Sequence, residues 1–145
     1  MAAVVTETEG EFAGWQYYDA PESFDSQIGP FYFRREDNGG SRCAFRAQQK
    51  HMNLGGRVHG GCLMSFADIA LFQIAYAEME GRSGVTVQLD STFVDAGYLG
   101  DLIEATGEVV RAGGSLIFVR GDIRSGDRTL LTFSGIIKKM KPRDA

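Results

Sequence analysis

GGCLMSFADIALFQIAYA, residues 60–77, is the only long helical candidate in the chain. Leu63, Met64, Ala67, Ala70, Leu71, Ile74 and Ala75 recur at spacings of three and four, the period of one helix face. Phe66, Ile69 and Phe72 fill much of the remaining circumference. A helix apolar nearly all round is a buried helix. Glu78 to Gly84, with its charges and glycines, ends the run, so the helix is expected from Gly60 to about Glu80.

Downstream of this helix the pattern changes to period two. Val85, Val87 and Leu89 alternate with Thr86, Gln88 and Asp90. Further strands are expected at Leu102–Arg111, Leu116–Arg124 and Thr129–Lys138, with turns at Gly97, Gly100, Gly113-Gly114 and Ser125-Gly126-Asp127. Their even spacing predicts an antiparallel meander. Upstream, Phe31–Arg35 and Arg42–Gln49 flank Asp37-Asn38-Gly39-Gly40 and read as a hairpin. The first 27 residues are acidic and aromatic, and are expected to form an arm or a short helix. One sheet and one wholly apolar helix predict an α+β fold in which the sheet curls around the helix.

The 145 residues predict a single domain spanning 1–145, large enough to bury a core without staples. Hydrophobic residues make up 43% and charged residues 23%, which excludes a disordered chain. Glycine accounts for 19 residues, roughly twice the usual share, which is about 7%. That excess is read as many tight turns. A net charge of −4 argues against nucleic-acid binding, which needs a basic surface. The two cysteines form no disulfide framework. The acidic start does not read as a secretory signal, and the 60–77 run is short for a span and broken by Asp68. A cytoplasmic protein with no membrane partner is expected.

Chemistry concentrates in HMNLGGRVHGG, residues 51–61, and in Asp68. Glycines before a helix let its first N–H groups approach a ligand, and these groups carry the positive end of the helix dipole. Such a place polarises a carbonyl and holds an oxyanion. Asn53 and His59 flank it with side-chain donors. Asp68, the one charged residue between Gly60 and Ala77, supplies a carboxylate that can activate water or attack directly. An ion on an apolar helix is costly unless paired or useful.

Asn-x-x-Gly-x-x-His-Gly-Gly, followed nine residues after the histidine by an aspartate, resembles the hotdog-fold acyl-CoA thioesterases. The subgroup is that of the phenylacetic-acid-degradation thioesterases and the thioesterase superfamily member proteins. Asn53, Gly56, His59, Gly60, Gly61 and Asp68 match, six positions in sixteen residues, and Thr86 stands where the family has Ser or Thr. The resemblance covers about Phe31 to Lys138. It implies hydrolysis of an acyl-CoA or related thioester to acid and thiol. Asp68 would be general base or nucleophile, and the Gly60 N–H would polarise the carbonyl. Asn53 and His59 would hold the oxygen or the water, and Thr86 would position water. Coenzyme A enters only as part of the substrate, with no separate cofactor and no metal. Relatives often read Arg-x-Gly-Arg where this chain has Gly113-Gly114 after Arg111, so a basic contact to the coenzyme tail is missing.

A zinc site from His51, His59 and Asp68 matches no known spacing. Cys62 in the first helical turn is a small buried residue or a thiol of lowered pKa. Ser65 lacks an elbow motif. Gly55-Gly56 lacks the Lys-Ser/Thr of a phosphate loop. Lys138, Lys139, Lys141 and Arg143 form a solvated tail or meet phosphates. A non-catalytic acyl-CoA-binding protein and an enoyl-CoA hydratase on the same fold are the alternative functions. Nine residues of helix rise about 13 Å and turn half a turn off register, so His59 and Asp68 of one chain cannot grip one thioester. A homodimer at least is therefore expected, extended to a homotetramer as a dimer of dimers.

Overall fold

The computed structural model describes residues 2–142. Its strands are β1 (Ala3–Thr6), β2 (Gln16–Asp19), β3 (Tyr32–Arg35), β4 (Ser41–Arg46), β5 (Gly84–Phe93), β6 (Leu102–Ala112), β7 (Leu116–Ser125) and β8 (Arg128–Lys139). Two α-helices interrupt them, α1 (Phe24–Ile28) and α2 (Gly60–Ile74). The strands make one antiparallel sheet in the order β1-β2-β3-β4-β6-β7-β8-β5. The sheet wraps α2, which is the hotdog arrangement expected from the sequence.

Three expectations need correction. The downstream strands are not a simple meander. β5 skips its neighbour in sequence and pairs with β8, from Gly84↔Lys139 to Phe93↔Leu131. Period-two patterning specifies a strand but not its long-range partner. The helix stops at Ile74 rather than near Glu80, and a 3₁₀ turn, Tyr76–Met79, continues the chain to Glu80 in the left-handed region. The N-terminal stretch is more than an arm or short helix. It adds two strands beside α1 and buries Phe12 and Trp15 against Ala44, with Phe12 stacked 4.2 Å from Tyr32.

Phe31, Phe45 and Phe66 meet at centroid distances of 4.8–5.0 Å at the centre of the core. Burying each such ring is worth about 1.5–3 kcal/mol. Gly135 and Gly107 lie mid-strand and leave room for α2, and Gly107 also faces the Arg120 carbonyl of β7, where a Cβ would stand 2.3 Å away. A Cβ on Gly135 in β8 would lie 2.5 Å from Leu71 Cδ1, and one on Gly107 in β6 would lie 2.8 Å from Ile74 Cδ1. The helix is not wholly enclosed. Met64, Asp68, Ile69 and Phe72 are only partly buried. β5 is an end strand of the sheet, and Val85, Val87 and Phe93 on it are exposed. Lys139 is buried rather than solvated, with Nζ donating to the Glu78 carbonyl. Arg143 lies outside the described residues.

Candidate active site

The loop before α2 is built on Asn53. Its Oδ1 accepts from the Gly55 N–H (2.9 Å) and the Arg57 N–H (3.0 Å), and its own N–H donates to the Arg57 carbonyl (2.7 Å). Gly56 takes φ +79°, a conformation that favours glycine. With the oxygen tied to the loop, the Asn53 Nδ2 group is the end left to donate. The Val58 N–H donates to the Gly97 carbonyl and the His59 N–H to the His51 carbonyl, both at 2.8 Å, which anchors the loop at both ends.

His59 is the N-cap of α2, and its Nδ1 accepts from the Gly61 N–H at 2.8 Å. In the neutral ring the proton then sits on Nε2, which becomes a donor toward solvent. Cys62 and Leu63 both donate their N–H to the His59 carbonyl. The Gly60 N–H, first in the helix, has no acceptor among the described residues. The Phe93 ring lies against Gly60, where a Cβ would stand 3.2 Å from Cε1 and Cζ. Phe93 was missed in the sequence, because an aromatic at the end of a strand signals packing and not a site.

At the other end of the site residues, Thr86 Oγ1 donates to Asp68 Oδ1 at 2.6 Å. Asp68 makes no ion pair among the described residues. Its second oxygen is left for a proton donor. Further along β5, Ser91 Oγ donates to Met64 Sδ, one helical turn before Asp68, and holds the same flank of the helix to the strand. The expected residues thus form two groups: Asn53, His59 and Gly60 at the start of α2, and Asp68 with Thr86 on its flank. They are separated by the nine residues of helix between His59 and Asp68, about 13 Å of rise.

The competing residues have other duties. His51 is buried, with Nδ1 accepting from the Gln48 N–H and Nε2 donating to the Ile28 carbonyl at 2.6 Å. Burial pushes its pKa down. Burial pushes the Cys62 thiol up to about 11, so it is not an activated nucleophile. Ser65 Oγ donates to the Gly61 carbonyl inside its own helix. Among the described residues no three His, Cys, Asp or Glu side chains cluster as metal ligands, and no helix is long and apolar enough to cross a membrane.

The sequence model of the Thioesterase superfamily matches residues 55–132. A Pseudomonas aeruginosa protein whose name calls it an esterase is 32% identical over 110 residues, covering 75% of this chain and 82% of its own. Human acyl-coenzyme A thioesterase 13 is 27% identical over 81 residues, covering 56% of this chain and 58% of its own. Among solved structures, a hypothetical thioesterase of Streptococcus pneumoniae with coenzyme A superposes with a TM-score of 0.72 at 22% identity, covering 82% of this chain and 92% of its own.

Proposed function

Since the chain belongs to the thioesterase superfamily and is a thioester hydrolase, we propose that it hydrolyses acyl-CoA with Asp68 as general base or nucleophile. The observation that carries this is the Thr86–Asp68 contact at 2.6 Å, which aims a lone carboxylate from an otherwise uncharged helix. Thr86 holds one oxygen and fixes the rotamer. The other oxygen takes the proton of a water as that water attacks the thioester carbon, or attacks the carbon itself, expelling the thiolate and leaving an anhydride on Asp68 that a water then hydrolyses to the free acid. The Gly60 N–H at the positive end of α2 receives the charge that develops on the carbonyl oxygen, with Asn53 Nδ2 and His59 Nε2 as further donors. The carbon–sulfur bond then breaks and the thiol leaves with a proton. No metal and no separate cofactor enter these steps. Acyl-CoA turnover followed with a thiol-trapping reagent tests the reading and separates it from a non-catalytic binding role.

The separation of the two residue groups supports a site shared between two copies of the chain. Apolar surface that one chain leaves uncovered supports this: Met64, Ile69 and Phe72 on α2, and Val85, Val87 and Phe93 on the end strand β5. An end strand offers its free N–H and C=O groups to a second copy. A homodimer, and a dimer of dimers beyond it, is the assembly proposed.

Two expected results follow from this site. Thr86→Val keeps the shape and removes the hydroxyl, so kcat/KM is expected to fall by the equivalent of about 1–2 kcal/mol of transition-state stabilisation, the scale of one hydrogen bond. Steady-state kinetics would expose Thr86 as an ordinary strand residue if the variant matched wild type. The second result concerns the coenzyme tail. Where relatives carry a basic residue, this chain has Gly114, and Arg82 reaches that turn, donating to the Gly114 and Met140 carbonyls. Arg82, Lys138 and Lys141 line a cleft of about 650 Å³ there. This group is proposed to meet the coenzyme phosphates. Lys138→Ala with Lys141→Ala is expected to raise KM for an acyl-CoA about fivefold at low salt, with kcat retained. The same acyl group on pantetheine, which lacks the nucleotide, should show no change. An equal effect on both substrates would contradict this role.

A further inference from the structure

We propose that His51 is a positioning residue for the oxygen-holding side of the site: its neutral ring, protonated on Nε2, locks the loop 53–59 to α1, and a second proton on the ring releases that lock in mild acid. The inference rests on the thioester-hydrolase reading and adds a pH-sensitive support that this reading does not contain. His51 also lies outside residues 55–132, the stretch matched by the family.

His51 closes the 3₁₀ turn Gln49–His51 and is 3% exposed. Three bonds tie it to three parts of the fold. Its Nδ1 accepts from the Gln48 N–H at 2.9 Å, its Nε2 meets the Ile28 carbonyl at the end of α1 at 2.6 Å, and its own carbonyl accepts the His59 N–H at 2.8 Å. The partners fix the tautomer. A backbone N–H only donates, so Nδ1 carries no proton; a carbonyl only accepts, so Nε2 carries one. His59 is the N-cap of α2, and Met52 and Val58 form a bridge just inside the His51–His59 pair. The loop that holds Asn53 is therefore a closed unit with His51 at its base. Without the ring bonds that base loses its tie to α1, and the donors Asn53 Nδ2 and His59 Nε2 lose their fixed aim.

A second proton has only Nδ1 to go to, where it meets the Gln48 N–H head-on and breaks that bond. The new charge is also enclosed. The Phe45 ring stands edge-on at 4.8 Å and the Phe31 ring at 6.4 Å. Cys43, two residues before Phe45 on the same face of β4, has its thiol pushed up to about 12 by burial, and Cys62 on α2 to about 11, so both stay neutral. Asp25, the one ionisable residue of α1, makes no ion pair with His51, and neither does any other carboxylate among the described residues. Lys50 in the same turn, whose Nζ donates to the Gly29 carbonyl, adds a like charge. Burial, joined by this lysine, holds the ring below its ordinary value of 6.5 against the pull of the Ile28 carbonyl. A group kept neutral in this way contributes its full tie above pH 6.5 and loses it as the pH falls through the lower folded value.

The test compares wild type with His51→Gln, which keeps a donor toward Ile28 and cannot titrate in this range. Each protein is normalised to its own value at about pH 8. Between about pH 8 and pH 5.5, one unit below the ordinary imidazole value, kcat of wild type should fall at least about threefold further than that of the variant. KM should stay within a few-fold in both, because the loop donors act on the charge that develops in the transition state. Amide exchange followed by NMR and corrected for the intrinsic rate should show the His59 N–H losing at least about threefold of its protection over this range in wild type and keeping it in the variant. Long-range proton–nitrogen spectra of wild type at about pH 8 should show His51 protonated on Nε2 and bare on Nδ1. A ring protonated on Nδ1, or a His59 amide whose protection ignores acid in wild type, overturns the lock; both are read on wild type alone, so they decide the matter even if the variant does not fold. An equal fall of kcat in the two proteins overturns the positioning role. Acid-sensitive protection of His59 with no hydrolysis of any acyl-CoA supports the lock and overturns the hydrolytic reading instead.

Discussion

Asp68→Asn is expected to lower kcat at least about a hundredfold while KM stays within a few-fold, because it removes a group that acts only in the transition state. Substrate binding draws on other parts of the surface, so KM is largely spared. The variant should fold normally. Asn Oδ1 accepts from Thr86 Oγ1 as the carboxylate does at 2.6 Å, and no ion pair is lost among the described residues. Replacing a partly buried ion on an apolar helix flank by a neutral isostere should leave the melting temperature unchanged or higher. The split between activity and stability is what distinguishes a catalytic carboxylate from a structural one. A structural carboxylate would show the reverse, a lowered melting temperature with turnover near wild type.

The candidate site was legible in the sequence where its residues lie close together in the chain. Glycines, an N-cap histidine and an apolar helix with one carboxylate are all local signals, and each sits in the expected element. The role of Thr86 came from the resemblance alone, and the contact with Asp68 supplies its physical content. Asn53 was read as a donor beside the site. Its oxygen proves to build the loop, leaving only the Nδ2 end for a substrate. What the sequence hid is long-range. The β5–β8 pairing joins strands that are not neighbours in the chain, and nothing in the alternation of Val85, Val87 and Leu89 selects that partner. Gly107 and Gly135 fall inside the expected strands, but nothing local shows that they clear space for Ile74 and Leu71. Lys139 looked solvated because its partner is the carbonyl of Glu78, far away in sequence. Phe93 against Gly60 depends on where β5 ends relative to α2, which is again tertiary.

Each site is proposed to take Asp68 from one chain and Asn53, His59 and Gly60 from another. His59 caps α2 at its start, and Asp68 lies nine residues on, about 13 Å along and half a turn round. A single thioester carbonyl cannot touch both from one helix. Two variants, each inactive alone, test this directly: Asp68→Ala and Asn53→Ala. Mixed under conditions that exchange subunits, they form dimers in which one site has lost both residues and the other has both intact. Random pairing makes half the dimers mixed, so thioesterase activity should recover to about a quarter of wild type. Subunit exchange is verified by native mass spectrometry of the mixture. No recovery, with mixed dimers present in that spectrum, would contradict the shared site and place Asp68 and Asn53 in the same chain's active centre.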